Sequence, residues 1–161
     1  MPEVRPVVTA VELVEVLALR EAVMVATWGL PPADARDAFD SDPMTLHCFV
    51  RDEFGVCVAA GRLTAPVDGE RDGEGGGGNP GIGPIVVAPR ARGRGLGRSV
   101  LEFLETEALA LFGSNGTVRV EALVPEGAGN GAATIGYTLR EGLPSGHPTW
   151  ARQVFKDLAA S

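Results

Sequence analysis

Between Val87 and Arg98 the chain reads Val-Ala-Pro-Arg-Ala-Arg-Gly-Arg-Gly-Leu-Gly-Arg. Glycine stands at 93, 95 and 97, behind the apolar run Ile82–Ala88 and ahead of the amphipathic run Ser99–Phe112. This pattern predicts a strand, a tight turn and a helix in direct succession. A strand feeding straight into a packed helix commits the chain to a mixed α/β architecture. Alternating glycines let the backbone curl so that successive amides point one way and cradle an anion. The start of the following helix adds its own positive field. Arg90, Arg92, Arg94 and Arg98 place charge-assisted donors around the turn. The segment is therefore read as a pyrophosphate cradle.

Two other glycine-loop readings fit less well. A P-loop needs a lysine after its last glycine, and the only lysine in the chain is Lys156. A dinucleotide fingerprint needs Gly-x-Gly-x-x-Gly, but Gly97 follows Gly95 by two residues and Arg98 by three.

The net charge of −7 argues against general nucleic-acid binding. Without its four clustered arginines the chain would stand at −11, so it is an acidic body with one basic spot. Such a spot suits a small polyphosphate better than a duplex. The 161 residues, 45% of them hydrophobic, suffice for one domain with its own core. No apolar run reaches the roughly 18 residues of a membrane span, and no signal-peptide layout opens the chain. The expectation is a cytoplasmic protein with no membrane partner. Cys48 and Cys57 flank a hairpin turn at Asp52–Gly55, with Cys57 expected opposite Val50. The two thiols are then diagonal and poorly placed for a disulfide. No Cys-x-x-Cys pair or histidine cluster occurs, so no metal site is expected.

Val4–Val8, interrupted by Pro6, reads as an edge or first strand. Thr9 and Glu12 form a capping-box pattern ahead of a helix to about Trp28, with Leu13, Leu17 and Met24 on its apolar side. Residues 33–40 read as a short polar helix or loop. Thr45–Val50 and Val56–Leu63 are strands. Residues 66–80, glycine-rich and polar, read as a flexible loop inside a single 1–161 domain. In the helix Ser99–Phe112 the expected buried stripe is Val100, Leu101, Leu104, Ala108, Leu111 and Phe112. Thr117–Val124 reads as a strand, Gly129–Glu141 as a glycine-diluted helix and Thr149–Leu158 as a final strand. The expected fold is a single-domain mixed sheet of six to seven strands flanked by about four helices.

Val-x-Pro-x-x-Arg-x-x-Gly-x-Gly between a strand and a helix resembles the acetyl-CoA signature of the GNAT N-acetyltransferase family. Pro89, Arg92, Gly95 and Gly97 occupy its positions. The shifted frame Arg90-x-x-Gly93-x-Gly95 fits the bare motif, but Pro89 and the helix start favour the later one. Downstream, Asn130, Ala133 and Tyr137 resemble the family's Asn-x-x-Ala…Tyr pattern. Gly136 replaces its aromatic, Gly142 comes one residue late and Leu143 replaces its Phe. Leu19-Arg20 before an apolar trio, then Asp37, Asp40, Asp42 and His47, resemble the ElaA-like branch. That branch's Glu-Gln pair is here Ala26-Thr27.

The resemblance implies an acetyl-CoA-dependent N-acetyltransferase acting by direct attack of a primary amine, on a small molecule or on a protein. The alternative is a non-catalytic acyl-CoA-binding sensor or regulatory module, and an O-acyl or longer-acyl transferase would share the same cradle. The implied cofactor contacts are the backbone of Ile85, Val86 and Val87, the turn Arg92, Gly93, Arg94, Gly95, Leu96, Gly97 and Arg98, and Asn130 along the pantetheine arm. Val87 is the expected donor to the acetyl carbonyl oxygen. Tyr137 is implied as general acid toward the departing thiolate. Glu121 is the acid closest to the expected acceptor site and the candidate base. Asp37, Asp40 and Asp42 are expected on a solvated face, His47 in a hydrogen-bonded structural role, and Trp28 and Phe39 in core or lid. His147, in a Pro-Ser-Gly-His-Pro turn, is expected to do no chemistry. Family members often pair through their final strands, so a homodimer is a further expectation.

Overall fold

The computed structural model describes residues 2–67, 78–125, 129–140 and 151–161; of residues 129–131 and 151 it describes the backbone only. Strands are β1 Val4–Pro6, β2 Leu46–Arg51, β3 Cys57–Thr64, β4 Gly81–Ile82, β5 Val86–Val87, β6 Thr117–Pro125, β7 Thr138–Leu139 and β8 Ala151–Ala159. Helices are α1 Ala10–Ala26, α2 Leu96–Phe112 and α3 Gly129–Thr134. All eight strands form one sheet in the order β1-β2-β3-β4-β6-β8-β7, with β5 also paired to β3. Among these pairings only β4 with β6 is parallel. The mixed α/β fold is as expected, with one strand more than the six to seven anticipated.

Local chemistry starts α1. Thr9 Oγ1 accepts from the Glu12 amide at 3.1 Å, and Glu12 Oε1 accepts from the Thr9 amide at 3.0 Å, a closed capping box. Val16, Val23 and Met24 bury this helix against Phe49, Ala60 and Val86 on one face of the sheet. Leu13 and Leu17 are only partly buried, and Arg20 occupies the buried face instead. On the opposite face α2 buries Val100, Leu101, Leu104 and Ala108 against Cys48, Ala59, Leu63 and Val120. Leu111, expected in that stripe, is 60% exposed.

Gly61 on β3 is where α2 comes closest. A Cβ there would lie 2.6 Å from Val100 Cγ1, so only glycine lets the helix seat this deeply.

The hairpin after β2 departs from the expected register. A bulge between Val50 and Arg51 places Cys57 opposite Arg51, and Val50 opposite Ala59. Both cysteines are free thiols, and burial pushes Cys48 up to about 12 and Cys57 up to about 11. Neither is poised as a nucleophile. The strand expected over Ile82–Ala88 is broken into β4 and β5 around Gly83, whose φ of +110° excludes other residues. The helix expected over 129–141 stops at Thr134; Gly136, at φ +90°, turns the chain, and Tyr137 leads into β7.

Of the expected 66–80 loop, residues 68–77 lie outside the described residues. Its base is closed by the Gly78 amide donating to the Val67 carbonyl at 3.1 Å.

Candidate functional site

The sheet opens into a wedge where its one parallel pairing ends. β4 meets β6 at only two positions, Gly81 opposite Glu121 and Ile82 opposite Ala122. Beyond them β5 follows β3, with Val86 opposite Ala60 and Val87 opposite Ala59. β6 instead follows β8 to Pro125. Among the described residues the backbone edges facing the wedge are therefore unpaired. The Ala88 amide donates to Val58 on β3 at 2.8 Å. Amides alternate sides along a strand, so those of Val87 and Ile85 face away from β3, into the wedge. By the same alternation the Val86 amide faces β3. Its side chain packs in the core beneath α1.

The glycine turn stands beside this opening. Gly93 and Gly95 have φ of +79° and +75°, and a Cβ on either would meet open space. They are glycines for backbone direction, on a surface left clear. Gly95 is the N-cap of α2, so Gly97 falls in its first turn, as the later motif frame requires. The Ser99 amide makes the first helical bond, to the Gly95 carbonyl. Among the described residues no acceptor meets the six amides from Gly93 to Arg98. A Cβ on Gly97 would sit 3.5 Å from Val87 Cγ2, which places the cradle directly against β5.

The arginines divide by partner. Arg90 is tied to Asp52 in the hairpin turn at 2.9 Å. Arg98 pairs with Glu102 at 3.1 Å, exposed on both sides. Arg92 Nη2 is 3.5 Å from Thr27 Oγ1 at the end of α1. Arg94 is exposed with no partner among the described residues. Three exposed guanidinium groups thus surround the open amides.

On the α1 face of the wedge lies a cleft of about 200 Å³, lined by Arg20, Met24, Arg62, Gly83, Pro84 and Leu123 together with residues 33–37. Behind it is an ion network that local sequence patterns do not announce. Arg20, 2% exposed, donates to Asp40 Oδ1 at 2.6 Å. Arg62 reaches the same oxygen at 2.9 Å and grips both oxygens of Asp37 at 2.6 Å. Burial opposes charge on Asp40, but Arg20, the Asp37 amide and Arg62 outweigh it and hold the carboxyl below its usual range. Asp40 is therefore a buried ion-pair residue and not part of a solvated face. Asp37 is half exposed, and Asp42 only accepts from the Met44 amide in a turn. His47 is buried among these groups, its ring beside the Asp40 backbone but with neither nitrogen at full hydrogen-bonding geometry to a described residue. Burial, then the positive charges of Arg20 and Arg62, push its pKa down, so it is neutral.

Glu121 sits where the wedge begins. Its Oε1 accepts from Asn79 Nδ2 at 3.1 Å and Arg140 Nη1 at 3.3 Å, and its Oε2 from Gln153 Nε2 at 2.9 Å. Among the described residues one acceptor direction, on Oε2, has no donor.

Tyr137 is placed otherwise than expected. It lies beyond the helix, buried, with its hydroxyl donating to Glu105 on α2 at 3.2 Å. Lys156 pairs with the same carboxylate at 3.1 Å and lies 5.5 Å over the tyrosine ring. Burial and the Glu105 carboxylate raise the tyrosine pKa well above its usual value. A phenol so held ties the start of β7 to α2, and Lys156 ties β8 to the same carboxylate. Asn130 is the second residue of α3, with its side chain outside the described residues, and His147 lies outside them altogether. Trp28 packs at the edge of the α1 core, and the Phe39 ring lies 5.7 Å under Arg62. No group of three or more metal-ligating side chains occurs among the described residues, and no helix there is long and apolar enough to cross a membrane.

A sequence profile described as acetyltransferase (GNAT) family matches residues 13–126, well over half of the chain. No curated protein sequence matches it. Among solved structures, Escherichia coli ElaA superposes with a TM-score of 0.75 at 18% identity, over 97% of this chain and 99% of that one. An acyl-CoA N-acyltransferase from Pseudomonas aeruginosa gives 0.76 at 22% identity, over 99% and 100%. A phosphinothricin acetyltransferase from Sinorhizobium meliloti, solved in complex with AcCoA, gives 0.63 at 19% identity, over 98% and 89%. At these identities the superpositions speak for the fold.

Proposed function

The chain belongs to the acetyltransferase (GNAT) family, and from that premise we propose that it transfers the acetyl group of acetyl-CoA to a primary amine by direct attack. The observation that carries the reading is the row of six open amides from Gly93 to Arg98, set against the β5 strand whose Val87 amide faces the wedge. Pyrophosphate oxygens satisfy such amides, and the glycines leave room for them to approach. Acetyl-CoA supplies the activated thioester. Arg92, Arg94 and Arg98 neutralise its phosphates from the rim of the turn. The Ile85 and Val87 amides bind along the wedge, and Val87 donates to the carbonyl oxygen that gains negative charge as the amine attacks.

The cleft on the α1 face receives the acceptor, since it meets the wedge at Gly83, Pro84 and Leu123. Glu121, with its one open lone pair, takes up the amine proton through an intervening water. As the tetrahedral intermediate collapses the C–S bond breaks, and the CoA thiolate leaves and takes a proton from water, while Tyr137 keeps its place against Glu105. The reading takes residues 1–161 as one domain, because β1 near the start and β8 near the end share one sheet.

The test is calorimetric titration with acetyl-CoA, followed by thiol release in a broad pool of amines. The double variant Arg92→Ala, Gly95→Glu places a carboxylate in the cradle and should abolish binding while the protein still melts cooperatively. Unchanged affinity would overturn the cradle. Binding without release in any amine fraction would favour the acyl-CoA-binding module.

A further inference from the structure

One side chain touches both the cleft and the wedge. Arg62, on β3 and 6% exposed, has its guanidinium fork on Asp37 and Asp40. Its Nε points the other way and donates to the Gly83 carbonyl at 2.8 Å. Gly83 lies between β4 and β5, where pairing with β6 has ended. The backbone of Arg62 holds the same residue from the other side, accepting from the Gly83 amide at 2.9 Å. A carbonyl in this position has lost its strand partner and needs a donor.

We infer that Arg62 is a positioning residue: it fixes the edge of the wedge at Gly83, and so sets where the Ile85 and Val87 amides stand relative to the cradle. The same guanidinium carries the two loop carboxylates that shape the cleft, so the acceptor and acyl-donor sides share one anchor. This rests on the acyl-CoA reading of the wedge and goes beyond it in assigning a role to a residue that touches neither pyrophosphate nor thioester.

Two substitutions separate the halves of the side chain. Arg62→Gln puts an amide nitrogen where Nε was, keeping the donor to Gly83 and losing the charge. Arg62→Lys puts a methylene where Nε was and an ammonium where the guanidinium carbon was, keeping the charge for Asp37 and Asp40 and losing the donor. A positioning role predicts opposite orders in two measurements. By melting temperature Arg62→Gln is the weaker protein, because Asp37 loses its guanidinium partner and the buried Asp40 keeps only Arg20. By acetyl-CoA titration Arg62→Lys is the weaker binder, by about tenfold, while Arg62→Gln stays within about threefold of wild type. In steady-state kinetics Arg62→Lys raises KM for acetyl-CoA and also lowers kcat, because the Val87 amide it positions meets the developing oxyanion.

A purely structural role predicts one order in both measurements, with Arg62→Gln worse throughout, and that result overturns the inference. So does wild-type affinity in Arg62→Lys, which decides the matter alone if Arg62→Gln does not fold. If wild-type protein gives no acetyl-CoA binding, the acyl-CoA reading itself falls and takes this inference with it. Wild-type binding with the variants in the wrong order removes the inference only.

Discussion

Replacing Gly61 by alanine tests how the sheet and α2 are held together. The added Cβ would lie 2.6 Å from Val100 Cγ1, 2.9 Å from Leu104 Cδ1 and 3.3 Å from Ile85 Cγ1. Carbon atoms in ordinary contact sit about 3.5–4.0 Å apart, so the closest pair must separate by about 1 Å. Leu104 has rotamers to spare. Val100 is β-branched on a helix and has one strongly preferred rotamer, so α2 itself must lift. Overpacking of this kind costs about 2 kcal/mol, and the stiffer alanine returns roughly 0.5 kcal/mol by restricting the unfolded chain. The net loss of about 1.5 kcal/mol corresponds to a fall in Tm of about 3–6 °C for a domain of this size.

Function should suffer more than stability. The lifted helix carries the cradle away from Val87, and a displacement of about 1 Å at a reacting site costs up to about 100-fold in rate. Calorimetric melting and acetyl-CoA turnover on the same preparation measure both effects. A Tm equal to or above that of wild type would show that α2 has slack over β3, and the reasoning from Gly61 would be wrong.

Further outcomes follow from the ion network and the two candidate proton carriers. Asp40→Asn breaks a pair buried on both sides and should cost about 3–5 kcal/mol in denaturant unfolding. The lowered Asp40 pKa means that its contribution is present above its unfolded pKa near 4 and is lost as pH falls through the folded value; Asp40→Asn should flatten that acid limb. His47 acts in a separate window. The unfolded chain takes up a proton below about pH 6.5 that the buried ring refuses, so stability is level above that pH and falls below it, by at most about 1.4 kcal/mol per pH unit. His47→Gln should remove this slope in melts between pH 7 and 5; an unchanged slope would place the titrating group elsewhere. Tyr137→Phe should lower stability by about 1 kcal/mol with turnover kept within about threefold. A 100-fold loss of kcat at unchanged Tm would instead make Tyr137 the general acid. Glu121→Gln should cut kcat about tenfold or more, with KM for acetyl-CoA unchanged.

What the sequence made legible was local. The capping box at Thr9 and Glu12, the helix behind the glycine turn and the glycine turn itself all depend on neighbours within a few residues. The hairpin register was not legible, because a bulge at Val50 and Arg51 leaves no mark in alternation. The break in the strand after Ile82 was hidden for a similar reason. Gly83 and Pro84 are visible, but the loss of pairing depends on where β6 goes. Arg20, Asp40 and Arg62 come from three separate segments, and no spacing rule joins them. Arg20 even sits on the apolar stripe of α1, where only its partner 20 residues later explains it. Tyr137 was misplaced because Gly136 ends the helix early, which turns a helical position into the first residue of an edge segment.

The pairing of Lys156 with Glu105 has a consequence for any enzyme that handles acetyl groups. It is the only lysine in the chain, and its ammonium is engaged by a carboxylate 3.1 Å away and lies over an aromatic ring. Positive charge elsewhere is carried by arginine, whose guanidinium does not take up acetyl from a thioester under ordinary conditions. The side chains thus offer an acyl thioester few nucleophilic amines. Incubated with acetyl-CoA alone it should gain at most one acetyl group, at a free α-amine, so thiol release above an acceptor-free control in an acceptor screen is accounted for by the acceptors.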